Sequence, residues 1–460
     1  MKHTYSLASA LAATFSLTLA QGSTPSIPTC GPNQPCGSST PCCSQYGQCG
    51  VGAYCLGGCD PRYSFDLDSC VAAPMCQNAD YKLNSLDDVQ QNNIYLGDAS
   101  TANWVSSGTP VVYNGDSILL TMAPSTVGTL LMSTHYVWYG QISATLTTSQ
   151  GAGVVTAFIL MSDVHDEIDF EFVGVDLEHA QSNYYFQGIT DYDNEQNLTV
   201  SNTVSNTHTY MIDWQPDSLT WYIDGVAMRT KNRNETWNAT TSQYHYPQSP
   251  SRVQLSLWPA GLEKNGQGTI DWSGGLVDWN SAYMQNGYYY ANVQEVKVEC
   301  YNPPQGFANN HGNKAYYYDS TFGTNDTVCT GNNNTVLASF FATGDDPKTD
   351  PNASSNTKTA GASSASASAT PQTVPGVSGG GNAGNAGSDT SSGSAGNSGA
   401  NGGNNPGVSG SSGTSQGGGS TQFSQGDSQG STSSSTAAPG KKVAGSALAF
   451  VGFVVGCLVI

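Results

Sequence analysis

Charge is scarce in this chain, and positive charge most of all. Lys and Arg total 14 against 34 Asp and Glu over 460 residues, a formal net charge of −20. Phosphate neutralisation needs a dense basic patch, so the deficit excludes a nucleic-acid partner. Only 10% of residues are charged at all, which leaves either a membrane-embedded chain or a large uncharged low-complexity share. A mean hydropathy of −0.32 excludes the first. Long helical apolar patterns are also lacking, and the length suits two or three domains.

The uncharged share lies near the C-terminus. Residues 346–442 are mostly Gly, Ser, Ala, Asn and Thr; between Gly361 and Gly440 the only charges are Asp389 and Asp427, and the only aromatic is Phe423. Such a segment cannot bury enough apolar surface to offset chain entropy, which predicts a disordered Ser/Gly-rich stalk with a span on the order of 50 Å. Behind it, Gly440-Lys441-Lys442 precedes an uncharged tail, 443–460. A polar spacer, small residues at Ser431 to Ala437 and a terminal apolar run match a GPI-attachment signal, with a retained membrane helix as the alternative. At the other end Met1-Lys2-His3, the apolar run Leu7 to Leu19 and Ala20-Gln21 read as a secretory signal over 1–20. The chain is thus expected to be secreted and GPI-anchored at the cell surface and wall. Sequons stand at Asn197, Asn234, Asn238, Asn325, Asn333 and Asn352.

Nine of the twelve cysteines fall between Cys30 and Cys76. In a secreted chain that density means a small module stapled by disulfides over Cys30, Cys36, Cys42, Cys43, Cys49, Cys55, Cys59, Cys70 and Cys76. Zinc is disfavoured because no histidine falls within the cluster. Cys300 and Cys329 are expected to pair, and Cys457 leaves with the tail. Eleven cysteines then remain, so one is either a thiol or an inter-chain partner. The string Cys42-Cys43-Ser44-Gln45-Tyr46-Gly47-Gln48-Cys49-Gly50 resembles the hevein-like chitin-binding domain. That resemblance implies sugar contacts from Ser44, Tyr46 and Tyr54. A third family aromatic falls at Gln48, a departure from the pattern, and the Cys49–Cys55 stretch is one residue short.

From Ala79 to Cys300 short alternating runs with turn residues predict an all-β domain. The segment His165-Asp166-Glu167-Ile168-Asp169-Phe170-Glu171-Phe172 carries the chemistry. On a strand, Glu167, Asp169 and Glu171 share one face, while Ile168, Phe170 and Phe172 enter a core. Neither a solvated acidic strand nor a calcium site fits well; the latter needs ligands that wrap a loop. Retaining glycoside chemistry does fit, because it needs an ionised and a protonated carboxyl about 5–5.5 Å apart. Glutamates four residues apart are roughly 13 Å apart at Cα, a gap that long side chains and strand twist must close.

This segment resembles the active-site strand of glycoside hydrolase family 16, a β-jelly-roll family. The resemblance implies Glu167 as nucleophile, Asp169 as its assistant and Glu171 as acid/base. It extends to Gln181, Asn183 and Tyr184, and through Leu257-Trp258-Pro259-Ala260-Gly261 and Ile270-Asp271-Trp272, whose Trp258 and Trp272 are expected near a sugar groove. Taken together the order resembles the fungal Crh cell-wall transglycosylases: signal 1–20, chitin-binding module 28–76, catalytic domain 77–301, extension 302–345, stalk 346–442 and tail 443–460. It implies cleavage of chitin β-1,4 links and transfer of the chain to β-glucan; a monomer with no cofactor and no metal is expected. A hydrolytic endo-β-glucanase or chitinase of the same fold is the alternative. A non-enzymatic lectin predicts loss of one of the three acids, and all are present.

Overall fold

The computed structural model describes residues 27–302 and 311–351. The secretory signal, the stalk from residue 352, the tail, Asn352 and Cys457 lie outside the described residues.

Two eight-stranded sheets stack as an all-β sandwich. The sheet that bears the carboxylates is built from β1 (Val89–Gln91), β2 (Trp104–Ser107), β3 (Thr129–Val137), β4 (Val154–Ser162), β5 (Glu167–Val173), β6 (His179–Tyr185), β7 (Gln196–Thr199) and β8 (Ser251–Pro259). Its spatial order is β7-β6-β5-β4-β8-β3-β2-β1, antiparallel except where β1 meets β2. The second sheet includes Gly140–Thr147, His208–Trp214, Ser218–Ile223 and Tyr289–Cys300.

Strand alternation explains how the sheets close. Ile168, Phe170 and Phe172 leave one face of β5 for the core between the sheets. There Phe158, Phe170 and Phe172 stack at 6.3 Å spacings, and Phe172 meets Tyr210 of the opposite sheet at 4.6 Å. Trp221, also from that sheet, donates its indole N–H to the Asp169 carbonyl at 3.0 Å. One helix of regular α-type is present among the described residues, α1 (Gln267–Trp272).

The cysteines form Cys30–Cys43, Cys36–Cys49, Cys42–Cys55, Cys59–Cys70 and Cys76–Cys300. The expected Cys300–Cys329 pair is therefore corrected: Cys300 closes on Cys76, and Cys329 is buried in Val328–Gly331 outside any disulfide. The reason is topological. Asn78 receives the Cys300 N–H at 2.7 Å, and Ala79–Lys82 pairs with Tyr289–Cys300, so the end of the small module is brought to that strand.

The chain beyond Cys300 returns to the module. Ala315–Tyr318 pairs with Val328–Gly331 on one side and with Ala73–Pro74 on the other. Further on, Gly52 N–H bonds the Ala342 carbonyl and Gly344 N–H bonds the Ser69 carbonyl. Bonding continues past the expected boundary at 345, since Ser339 Oγ donates to the Thr349 carbonyl at 2.7 Å.

Candidate active site

The site begins at a turn. His165, at φ 62°, sits in the left-handed region and reverses the chain from β4 into β5. Asp166 fixes that reversal: its carboxylate accepts from the main-chain N–H groups of Gln187, Gln248 and Ser249 and from the Ser249 hydroxyl. Burial pushes Asp166 up to about 6 in spite of those bonds. A clamped Asp166 sets the phase of the strand that follows.

Glu167, Asp169 and Glu171 then project from one face of β5, each at most 1% exposed. Register places Tyr185, Asn183 and Gln181 of β6 opposite them on one side. On the other lie Met161, Ile159 and Ala157 of β4, an apolar floor. Glu167 is held well above the ordinary carboxylate range, first by burial and then by the charges of Asp169 and Glu171. Asp169 is raised in the same direction by burial and by Glu171, with Arg229 opposing. Two neighbouring carboxyls with raised proton affinity share protons between them at a pH where isolated ones would be ionised.

The flank beside Glu171 is aromatic. Trp272, delivered by α1, donates its indole N–H to Gln181 Oε1 at 2.8 Å and stacks on Trp258 of β8 with centroids 6.1 Å apart. Both indoles rest on Val155 and Val173, on the carboxylate side of the sheet. Gln181, Asn183, Trp258 and Trp272 are thus brought together with the three acids. Tyr184 is not. It lies one residue out of phase, packs into the core against Trp221 at 6.4 Å and sits under Arg229, which corrects its expected place in the groove. Tyr185 holds the groove position instead, across from Glu167.

Three residues escaped the sequence reading: Arg252, Gln254 and Ser256. They share the carboxylate face with Trp258, because register aligns Arg252 with Met161, Gln254 with Ile159 and Ser256 with Ala157. The signal was present. Ser251-Arg-Val-Gln-Leu-Ser-Leu-Trp-Pro259 alternates polar with apolar residues at period two.

In the small module Ser44 and Tyr54 are each 2% exposed, and only Tyr46 of the three expected sugar contacts is half-buried. Ser44 Oγ accepts from the Tyr46 and Gln48 amides, and the Tyr54 ring lies against Gly50. Of the sequons, Asn197, Asn234 and Asn333 are exposed and Asn238 is half-buried. Asn325 is buried, at 7% exposure, and a buried amide offers no room for a glycan, so that expectation is corrected. Three cysteine sulfurs, of Cys30, Cys36 and Cys43, lie close enough to hold a metal, but all three are committed to disulfides.

The chain is also similar in sequence to known proteins. Residues 98–274 match the model for "Glycosyl hydrolases family 16". The chain is 57% identical over 316 residues to Crh-like protein 3 of Botryotinia fuckeliana, covering 68% of this chain and 71% of that one. It is 53% identical over 321 residues to Crh-like protein 2 of Aspergillus fumigatus, covering 69% and 72%. Among solved structures, the Crh5 transglycosylase in complex with NAG is 27% identical and covers 59% of this chain and 98% of its own, at a TM-score of 0.47.

Proposed function

The chain belongs to the Crh-like proteins and carries a glycosyl hydrolase family 16 match, and on that premise we propose that it is a retaining transglycosylase of the cell wall. It cleaves a β-1,4 link of chitin and passes the chain to a β-glucan hydroxyl, cross-linking the two polymers.

In the first step Glu167 attacks the anomeric carbon while Glu171 gives its proton to the departing glycosidic oxygen. The product is an ester between the sugar and Glu167. Asp169 lies between Glu167 and Glu171 on the same face, and its charge raises the proton affinity of Glu167. In the second step Glu171 takes the proton of an acceptor hydroxyl, whose oxygen attacks the anomeric carbon from the face the leaving oxygen vacated and breaks the ester bond to Glu167. The free energy of the broken link is held in the ester, so the reaction needs no activated sugar outside the cell.

The observation that carries this reading is the placement of three carboxylates, side by side and buried, on one face of β5. The stacked Trp258 and Trp272 offer aromatic surface beside Glu171 for a pyranose. Secretion, a lipid anchor left after loss of the tail and glycans on the exposed sequons complete the proposal; among the described residues no helix is long and apolar enough to cross a membrane.

The test is incubation with a chito-oligosaccharide donor and a fluorescent β-glucan acceptor. Labelled products heavier than the acceptor are expected. Reducing ends without labelled hybrids would assign the protein to hydrolysis.

A further inference from the structure

The small module and the carboxylates stand on the same face of one sheet. Strand register sets a row across the carboxylate face that runs Asp169, Ile159, Gln254, Met132, Val105. A second row runs Glu167, Met161, Arg252. With neighbouring strands about 4.8 Å apart, Arg252 stands about 10 Å from the Glu167 strand, and Val105 about 20 Å from Asp169.

The far end of these rows is where the module sits. Leu56 packs with Val105, Leu130 and Met132, and Gln45 Oε1 accepts from the Arg252 guanidinium at 3.3 Å. A Cβ on Gly57 would stand 2.7 Å from Arg252 Nη1, so glycine there permits the close approach. Gln45 and Tyr46 line a pocket together with Arg252, Met132 and Val105.

Between the acids and that pocket two donors lack acceptors. Gln254 Nε2 and Arg252 Nε make no hydrogen bond, although the two residues are 1% and 7% exposed. Buried donors left unmade are costly, and a contact that served only to hold the module would not keep them. They suit the ring hydroxyls and acetamide carbonyls of a neutral polysaccharide.

We propose that the module is the distal end of the substrate groove rather than a separate binding unit. One β-linked polysaccharide chain runs from Glu167 past Gln254 and Arg252 to Tyr46, with Gln45 orienting the Arg252 guanidinium. The inference rests on the polysaccharide-processing reading above.

The experiment compares donors of increasing length in the full chain and in Tyr46→Ala. The ratio of kcat/KM for a donor that spans the groove to that for a short one should fall about tenfold in the variant, the loss of one stacking contact. An unchanged ratio overturns the inference. Should Tyr46→Ala fail to fold, Glu167→Gln in the full chain gives a second measurement. Its affinity for soluble chito-oligosaccharides should keep rising with length up to a chain that reaches from Glu167 to Tyr46. An affinity that levels off at a length either site alone can hold means an independent module and overturns the inference. A protein that turns over no oligosaccharide of any length ends the functional reading itself, a different outcome from an unchanged ratio.

Discussion

Three carboxylates packed on one strand face work against folding, since each buried negative charge raises the cost of the next. Stability and catalysis therefore diverge at Glu167. Replacing it with Gln removes one charge from the cluster, so Glu167→Gln should unfold at the same temperature or higher. Turnover should meanwhile fall at least about a thousandfold, as should that of Glu171→Gln. Rates and melting curves on the same preparations check both halves. Asp169→Asn tests the electrostatics separately. Glu167 must be ionised to attack, and its proton affinity is raised partly by Asp169. The acid limb of the kcat/KM profile should accordingly lie above the ordinary carboxylate range, with activity lost as pH falls through it. Removing the Asp169 charge lowers the Glu167 pKa, so the limb should move to lower pH in the variant even though kcat drops. A limb that stayed in place would mean that Glu167 is not the group titrating. Much of this was legible in the sequence, because period two puts Glu167, Asp169 and Glu171 together without further information. The same rule places Tyr184 opposite to Asn183, and only the family pattern suggested otherwise.

At the scale of elements, the groove depends on α1 delivering Trp272 to Gln181. Trp272→Phe retains an aromatic face for Trp258 but deletes the donor, which leaves Gln181 free to turn. Because the contact belongs to substrate positioning, KM should rise several-fold with kcat held within about twofold, and Michaelis kinetics on one donor would show the split. A fall in kcat with constant KM would instead place Trp272 at the transition state. The polar stripe of β8 was equally readable by alternation, Arg252, Gln254 and Ser256 against Val253, Leu255 and Leu257. What alternation could not supply was the neighbour. Nothing local in Ser251–Pro259 records that β8 lies between β4 and β3, so the stripe had no carboxylates to be assigned to.

For the whole molecule, the chain order of module, sandwich and extension gave no hint that the three share a core. Leu56 of the module, Val105, Leu130 and Met132 of the sandwich, and Leu337 and Ala342 of the extension form one apolar cluster. Packing of this kind joins residues far apart in sequence, and cysteine density reads the same for a tethered module as for a docked one. The Cys76–Cys300 link was hidden for the same reason: its closing partner is 224 residues away. The docked arrangement has a direct consequence. Deleting residues 28–75 would uncover Leu130, Val105 and Met132 and remove the Gly58 amide that donates to buried Asp163 at 2.7 Å. Losing the Leu56 side chain alone is worth about 2–5 kcal/mol, a large fraction of the stability of an ordinary domain. The truncated protein should therefore be retained inside the cell or secreted as aggregate, and Leu56→Ala should lower the melting temperature of the full chain. Size-exclusion chromatography of secreted material and thermal unfolding of Leu56→Ala measure these outcomes. A truncated chain that emerged monodisperse, with an unchanged melting temperature, would mean that the sandwich closes its own core and that the module only rests on it.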